Sequence, residues 1–457
     1  MSNEIHEECG VVAVSMRRAA GYAVLGLHAL QHRGQEAAGI VTTDGERFYH
    51  RKAKGEVRDV FSKKKFLAKL KGCLAIGHVR YSTAGGSLKK NAQPFWKRTP
   101  YGMVGVAHNG TLTNAKELRS RLEKIGAKFQ SSSDSEVILH LIGQSEEPTI
   151  ERAIAEALRQ LEGAFSLVFL TRKSIIAARD PQGFRPLVIG QSKTGAVFAS
   201  ETCALDLLEI PYTGEVSPGE MVIAKGQNLA FLRFATYNRL SQCVFEHVYF
   251  SRPDSVVFGR SVEQSRGELG KSLAQECPVP NADLVVPVPD SGMGAALGFA
   301  KASGIEFALG LIRNHYIGRT FIKPTGRSNG VTMKLSPVRR LLAGMVVVLV
   351  DDSLVRGNTA KKIVRMVREA GAKEVHLRIS CPPTVSPCFY GVDTPYSKEL
   401  VAANMTVEQI RQYIGADSLG YLSLAGLTKA VGGVQDYCYA CYTGKYPTNV
   451  SHLIQIS

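Results

Sequence analysis

VVVLVDDSLVRGNT, residues 346–359, opens on five apolar and mostly β-branched residues and then changes character abruptly. The run from Val346 to Val350 reads as a strand buried on both faces, the pattern of a parallel sheet. Asp351 and Asp352 stand at its carboxyl end. Ser353, Arg356, Gly357, Asn358 and Thr359 then make a small polar loop that leads into Ala360 to Val367, where apolar residues recur at helical spacing. Open α/β sheets bind ligands beyond the carboxyl ends of their strands, and free amides at a helix start favour phosphate. Acids at strand ends are common, so Asp351-Asp352 alone would signify only a solvated terminus. The whole run carries the reading.

A second strand, Ala282 to Val288, ends in Asp290-Ser291-Gly292-Met293-Gly294 before a helix of small residues, Ala295 to Ala302. Between the two loops, Arg313 to Ile322 continues through Lys323, Arg327 and Lys334, a long basic stretch expected to order over a bound anion. Together these resemble the phosphoribosyl pyrophosphate signature of type I phosphoribosyltransferases, and SLVRGNT is similar to that of the amidotransferases that open purine synthesis. Leu354 and Asn358 stand where Ile and Thr are commoner, but the acids, Gly357 and Thr359 are in place. The resemblance implies that Asp351 and Asp352 hold the ribose hydroxyls and, with Ser291, a magnesium ion. It implies further that Ser353, Arg356, Gly357, Asn358 and Thr359 cradle the 5′-phosphate, and that Asp290, Ser291 and Gly292 form the pyrophosphate loop.

With 457 residues the chain is long enough for two or three domains, and 44% hydrophobic with 21% charged residues is ordinary for a globular protein. No apolar run of about 18 residues occurs, and Met1 to Glu8 is too short and polar for a signal peptide, so the expected compartment is the cytoplasm with no membrane partner. The net charge of +16 suits nucleic acid or an anionic small molecule. Its densest stretch, Arg51 to Lys71, interleaves Lys63-Lys64-Lys65 with Val57, Val60, Phe61, Phe66 and Leu70, the pattern of a solvated amphipathic face; no nucleic acid is expected. Nine scattered cysteines without an export signal argue against disulfides.

In the first half, Cys9 precedes the apolar run Val11 to Val14. Three polar, glycine-bearing segments follow at strand ends: LQHRGQEAAGI from Leu30, GHVRYSTAG from Gly77, and AHNGTLTN from Ala107. Ser131 to Glu136 then reads as the start of a helix over Val137 to Ile142, with Asp134 a helix N-terminal acid on that reading. This set is similar to the N-terminal-nucleophile glutaminase domain. The resemblance implies that Cys9 is the nucleophile, that Asn109 and Gly110 form the oxyanion hole, and that Arg80, Thr83 and Asp134 bind glutamine. A thiol with a free pKa of about 8.5 needs a base, and an N-terminal α-amine at about 7.7 to 8.0 can serve from the same residue. Residues 1–8 are therefore expected to be a propeptide. The glutaminase domain would span 9–235 and the phosphoribosyltransferase domain 236–457, an α+β sandwich with two central sheets followed by an α/β domain with a parallel sheet.

Cys438 and Cys441 form a C-x-x-C pair near the end, with Cys243 and Cys388 far upstream. Four thiolates from distant segments make a structural staple, for zinc or for an iron–sulfur cluster. CVFEHVYFSRPDS, SPCFYGVD and CYACYTGKYPT resemble the subgroup of glutamine phosphoribosylpyrophosphate amidotransferases that carries a [4Fe–4S] cluster at these cysteines. Cys73, Cys203, Cys277 and Cys381 are left as packing residues. From Cys9 to Pro447 the chain resembles that family, which implies conversion of glutamine and phosphoribosyl pyrophosphate to 5-phosphoribosylamine, glutamate and pyrophosphate. It also implies a homotetramer inhibited by purine nucleotides. Two alternatives are a glutaminase whose second domain only senses the sugar, and a sugar sensor that contacts nucleic acid.

Overall fold

Alternation along the strand Gly10–Ser15 sets the architecture of the first half. Val11 and Ala13 enter one apolar core and Val12 and Val14 another, as the two-residue period of a strand requires. In the computed structural model, which describes residues 9–81, 89–236, 239–314, 335–392, 394, 396–433 and 436–454, this strand is central in a seven-stranded sheet. Edge to edge the order is Tyr212–Glu215, Val188–Ser192, Gly195–Ala199, Gly10–Ser15, Leu74–Arg80, Ala37–Thr43 and Phe48–Lys54, antiparallel throughout. A second antiparallel sheet of six strands runs Asn228–Arg233, Glu220–Lys225, Ile175–Arg179, Gly163–Leu170, Gly102–Leu112 and Phe95–Thr99.

Val11, Ala13, Val168, Leu170, Phe198 and Val222 fill the space between the sheets. Helices Ala19–Ala29 and Thr202–Leu207 cover the outer face of the first sheet, and Ala115–Lys124, Ser135–Gln144 and Ile150–Leu158 that of the second. The expected layered α+β sandwich is therefore present. The basic stretch after Arg51 also behaves as read: Val57, Val60, Phe61 and Leu70 are buried while Lys63 to Lys65 face solvent.

The second half is built on a five-stranded, wholly parallel sheet in the order Glu306–Phe307, Leu284–Pro287, Val346–Asp351, Glu374–Ile379 and Ser418–Tyr421. Val347 to Val350 are fully buried, which explains their unbroken apolar run. The helix after the polar loop spans Asn358–Glu369 and so includes Asn358 and Thr359 in its first turn, two residues earlier than periodicity alone placed it. Helices Val262–Glu276 and Met293–Ser303 cross at glycines: a Cβ on Gly270 would lie 1.8 Å from the Ala295 carbonyl oxygen, and one on Gly298 2.0 Å from that of Gly267. Near the chain end Tyr437–Cys438 pairs in parallel with Gln242–Cys243, so the last segment returns to the first residues of this half. No helix among the described residues is long and apolar enough to cross a membrane.

The helix crossing gives a direct test. Gly298→Ala forces two backbones apart and is expected to cost about 1–3 kcal/mol, whereas Gly267→Ala, whose Cβ meets nothing within 4 Å, should stabilise by about 0.5–1 kcal/mol. Thermal unfolding of the two variants beside the parent chain distinguishes these signs.

Candidate functional site

Cys9 stands at the mouth of the sandwich, one residue before the central strand, and is 9% exposed. Its thiol donates to the Tyr81 carbonyl at 3.7 Å. Gly10 pairs with Val79, so Arg80, the last residue of the neighbouring strand, lies at the same end of the sheet. Thr83 and residues 1–8 lie outside the described residues, as do His315 to Lys334 of the basic stretch.

The strand Gly102–Leu112 of the second sheet packs against the Cys9 strand and carries Asn109 and Gly110. Asn109 is fully buried, yet neither its amide nitrogen nor its amide oxygen has a hydrogen-bond partner among the described residues. Leaving such a group unpaired costs about 1–3 kcal/mol, a cost expected where the group is reserved for a ligand. Gly110 has φ +138°, and a Cβ there would lie 2.1 Å from the Ala164 carbonyl oxygen, so no other residue fits.

Asp134 departs from its helix-cap reading. It precedes the helix Ser135–Gln144 but makes no capping bond. Its carboxylate instead accepts the Leu112 N–H at 3.0 Å and the Ser135 hydroxyl at 3.1 Å, with the His108 ring 3.8 Å away. Burial opposes its charge, but His108 and these donors more than offset this and hold the carboxyl at about 2. Asp134 is thus an ionised acid held against Leu112, two residues past Gly110 on the same strand.

At the second site the loop pairing expected from sequence is present. Val288 N–H donates to the Val350 carbonyl at 2.9 Å, and a Cβ on Gly292 would sit 2.4 Å from that same oxygen. The two strand ends therefore touch, and the Ser291 side chain hydrogen-bonds Asp352. Burial pushes the Asp352 carboxyl up, against the hydroxyls of Ser291 and Ser353 and the charge of Arg266. A buried carboxylate beside a second acid and a hydroxyl fits a hard cation such as magnesium, whose charge would restore the ionised form. Gly357 has φ +76°, Asn358 accepts from the Tyr413 hydroxyl at 2.6 Å, and Arg356 pairs with Glu399 at 2.7 Å. Asp290, at the exposed rim, pairs with Arg313.

Cys243, Cys388, Cys438 and Cys441 line one apolar cavity, together with Phe184 and Tyr390. Burial pushes the Cys438 thiol up to about 12, and Cys441 is raised by burial and by the other thiols around it. Such raised thiols become thiolates only against strong positive charge. Four cysteines lining one cavity are the donor set of a structural staple, for zinc or for an iron–sulfur cluster. Cys203 and Cys381 are buried and Cys277 is half-buried as packing residues, but Cys73 is exposed and packs nothing, because it lies in the turn before its strand.

Sequence reading assigned no role to a buried charge cluster beside Cys9. Arg33 donates from Nη1 to Glu201 at 2.5 Å and from Nη1 and Nη2 to Glu246 at 3.0 and 2.7 Å, and its Nε reaches the Cys9 carbonyl at 3.4 Å. Arg185 joins Glu246 at 3.4 Å and donates to the Tyr390 carbonyl from Nε and Nη2 at 3.1 and 2.8 Å. Beside it a Cβ on Gly391, φ +114°, would meet Gly110 Cα at 3.1 Å. The signal was available, since Arg33 lies within LQHRGQ and Glu246 within CVFEHVYF.

The glutamine amidotransferase domain family matches residues 78–207, and the phosphoribosyl transferase domain family matches residues 283–386. Fold and matches define a protein of the class that joins an N-terminal-nucleophile glutamine amidotransferase to a type I phosphoribosyltransferase. The chain is 53% identical over 447 residues to amidophosphoribosyltransferase 2, chloroplastic, of Arabidopsis thaliana, covering 96% of this chain and 79% of that one. It is 49% identical over 455 residues to the Bacillus subtilis amidophosphoribosyltransferase, covering 98% and 95%. The solved glutamine phosphoribosylpyrophosphate amidotransferase of B. subtilis, complexed with ADP and GMP, superposes with a TM-score of 0.91 at 48% identity, over 97% of this chain and 98% of that one. A structure described as the allosteric regulatory enzyme of purine biosynthesis gives 0.92 at 49%, over 97% of each chain. The chain belongs to the amidophosphoribosyltransferase family.

The approach of Gly391 to Gly110 has a measurable consequence. Gly391→Ala both strains a positive φ and crowds Gly110, and is expected to cost about 1–3 kcal/mol, read as a lowered thermal midpoint. An unchanged midpoint would show that the contact is loose.

Proposed function

We propose that this enzyme makes 5-phosphoribosylamine from glutamine and phosphoribosyl pyrophosphate, with Cys9 as the nucleophile of the first site and Asp351-Asp352 at the heart of the second. Family membership supports the overall reaction. The buried amide of Asn109, without a partner among the described residues and beside the Cys9 strand, carries the assignment of the first site.

Cys9 Sγ attacks the glutamine side-chain carbonyl, its proton passing to the α-amine exposed once residues 1–8 are removed. The oxyanion is met by the Asn109 amide and the Gly110 N–H, as donors that need not reorganise during the reaction. Arg80 holds the α-carboxylate of glutamine, Asp134 its α-amine, and Thr83 lines the same loop. Ammonia leaves as the tetrahedral carbon collapses to a thioester on Cys9, and water hydrolyses the thioester to glutamate. Ammonia passes within the protein to C1 of the sugar and displaces pyrophosphate. Free ammonia is already nucleophilic, so the second site has to position and neutralise charge, not abstract a proton. Ser353, Arg356, Gly357, Asn358 and Thr359 hold the 5′-phosphate, and Asp290, Ser291 and Gly292 the pyrophosphate. Asp351 and Asp352, with Ser291, would hold magnesium, which neutralises the departing pyrophosphate.

Domain limits of 9–235 and 236–457 follow the last sandwich strand, which ends at Arg233. A [4Fe–4S] cluster at Cys243, Cys388, Cys438 and Cys441 suits the cavity they line. Iron and sulfide at about four each per chain in anaerobically purified protein are expected; stoichiometric zinc would refute it. Purine nucleotides as feedback inhibitors accord with the ADP and GMP bound to the B. subtilis enzyme, and a homotetramer is proposed with them. The Arabidopsis relatives are chloroplastic; for this chain we propose the cytoplasm, where its thiols stay reduced.

Glutamate and pyrophosphate should appear one to one, and omitting the sugar should sharply reduce glutamate. Asn109→Ala should lower glutamine-driven turnover about 10²–10³-fold while leaving ammonium-driven turnover intact. Glutamate release at an unchanged rate without the sugar, with no pyrophosphate, would instead make the second half a sensor.

A further inference from the structure

We propose that Glu246 is a positioning residue of the glutaminase site: acting through Arg33, it fixes the main chain of Cys9, so that a residue of the second half of the chain sets the reactivity of the first. This rests on the reading of Cys9 as an N-terminal nucleophile.

The first residue of a mature chain has no preceding peptide to hold it. Its Cα carries both the thiol and the α-amine, and the two point correctly only if the carbonyl plane is fixed from the other side. Arg33 Nε contacts that carbonyl at 3.4 Å. A guanidinium is planar and its donors are rigidly disposed, so a two-pronged bond on one edge orients the rest. Glu246 supplies those prongs, taking Nη1 on Oε2 at 3.0 Å and Nη2 on Oε1 at 2.7 Å. Both side chains are buried, where water cannot substitute for a lost partner.

Glu246 is itself tightly placed. The Ser251 hydroxyl donates to Oε2 at 2.5 Å, and Arg185 approaches Oε1 at 3.4 Å. Burial disfavours its charge, but Arg33 and Arg185 hold the carboxyl below its usual range. The turn Glu246–Phe250 begins three residues after Cys243, and Arg266 clamps the carbonyls of His247, Tyr249 and Ser251 at 3.1, 2.8 and 2.8 Å. Arg266 also feels the charge of Asp352 at the sugar site. The segment that aims Arg33 is thus anchored in the half that binds the sugar.

The isosteric Glu246→Gln variant of the full-length enzyme tests this. Glutamine-driven kcat is expected to fall about 10–100-fold, the scale of a small misplacement of reacting groups, with KM for glutamine little changed. Alkylation of Cys9 by a diazoketone analogue of glutamine should slow in parallel, and ammonium-driven formation of phosphoribosylamine should be retained. Equal loss of both activities would reduce Glu246 to a structural role, and loss of neither would remove it from the site; either overturns the proposal. Ser251→Ala keeps every charge and covers the case in which Glu246→Gln does not fold. It should give a smaller loss, again confined to glutamine, and an unselective loss or none would refute the proposal. Cys9→Ala runs alongside: glutamine-driven turnover surviving in it would mean that the nucleophile, not Glu246, had been misassigned.

Discussion

Four ionised side chains with almost no exposure, Arg33, Arg185, Glu201 and Glu246, must neutralise one another where the two halves meet. Burying such groups costs several kcal/mol each unless charge and hydrogen bonds are matched, and removing one partner typically costs about 3–5 kcal/mol. Here the match draws on widely separated parts of the sequence. His32 and Arg33 take up one oxygen of Glu201, while Arg252 N–H and the Ser255 hydroxyl take the other at 2.9 and 2.7 Å. Arg185 also donates to the Tyr390 carbonyl, and Phe184 stacks on the Tyr390 ring at 4.2 Å. Ala164, Phe184, Tyr390 and Val450 then form a small apolar core that seals the junction.

The two sites are built differently, the first on and beside strands of the sandwich and the second on loops that follow strands of the parallel sheet. Around Cys9 the surroundings are tightly fixed: an Asn109 amide without a partner among the described residues, a Gly110 with no room for a Cβ, and an Asp134 ionised by its neighbours. At the second, a highly charged substrate must be held while a bond breaks. There burial raises the Asp352 carboxyl beside Asp351 and Ser291.

Local pattern made much of this legible. The run Val346 to Val350 showed its sheet, and Ala360 to Val367 its helix, because burial on both faces and helical periodicity leave marks within a few residues. The glycine-bearing segments of the first half were legible less well: read as strand-end loops, Gly77 to Arg80 and Ala107 to Leu112 lie within strands, because pairing with their neighbours extends the sheets through these polar residues. What each side chain does across the fold was not legible. Arg33 and Glu246 stand 213 residues apart and meet only because the sandwich and the parallel-sheet domain are docked. Asp134 looked like a helix acid because the residues after it are helical, and only the fold shows its carboxylate turned back to Leu112. Cys73 shows the reverse limit, since an apolar residue type next to a strand says nothing about which side of the last turn it occupies.

The near-contact of Gly391 with Gly110 bears on how such a protein can be taken apart. Gly391 lies three residues after Cys388, whose sulfur accepts the Tyr390 N–H at 3.3 Å, so one short piece of backbone reaches both the cysteine cavity and the strand that carries Gly110. Cutting the chain between its halves would strip Gly110 of its backing and leave Arg33 and Arg185 without Glu246. The halves are therefore not interchangeable cassettes. Gene fission, or a swap of one half for that of a distant relative, succeeds only if the 388–391 segment and Glu246 travel as a matched set with the sandwich they close.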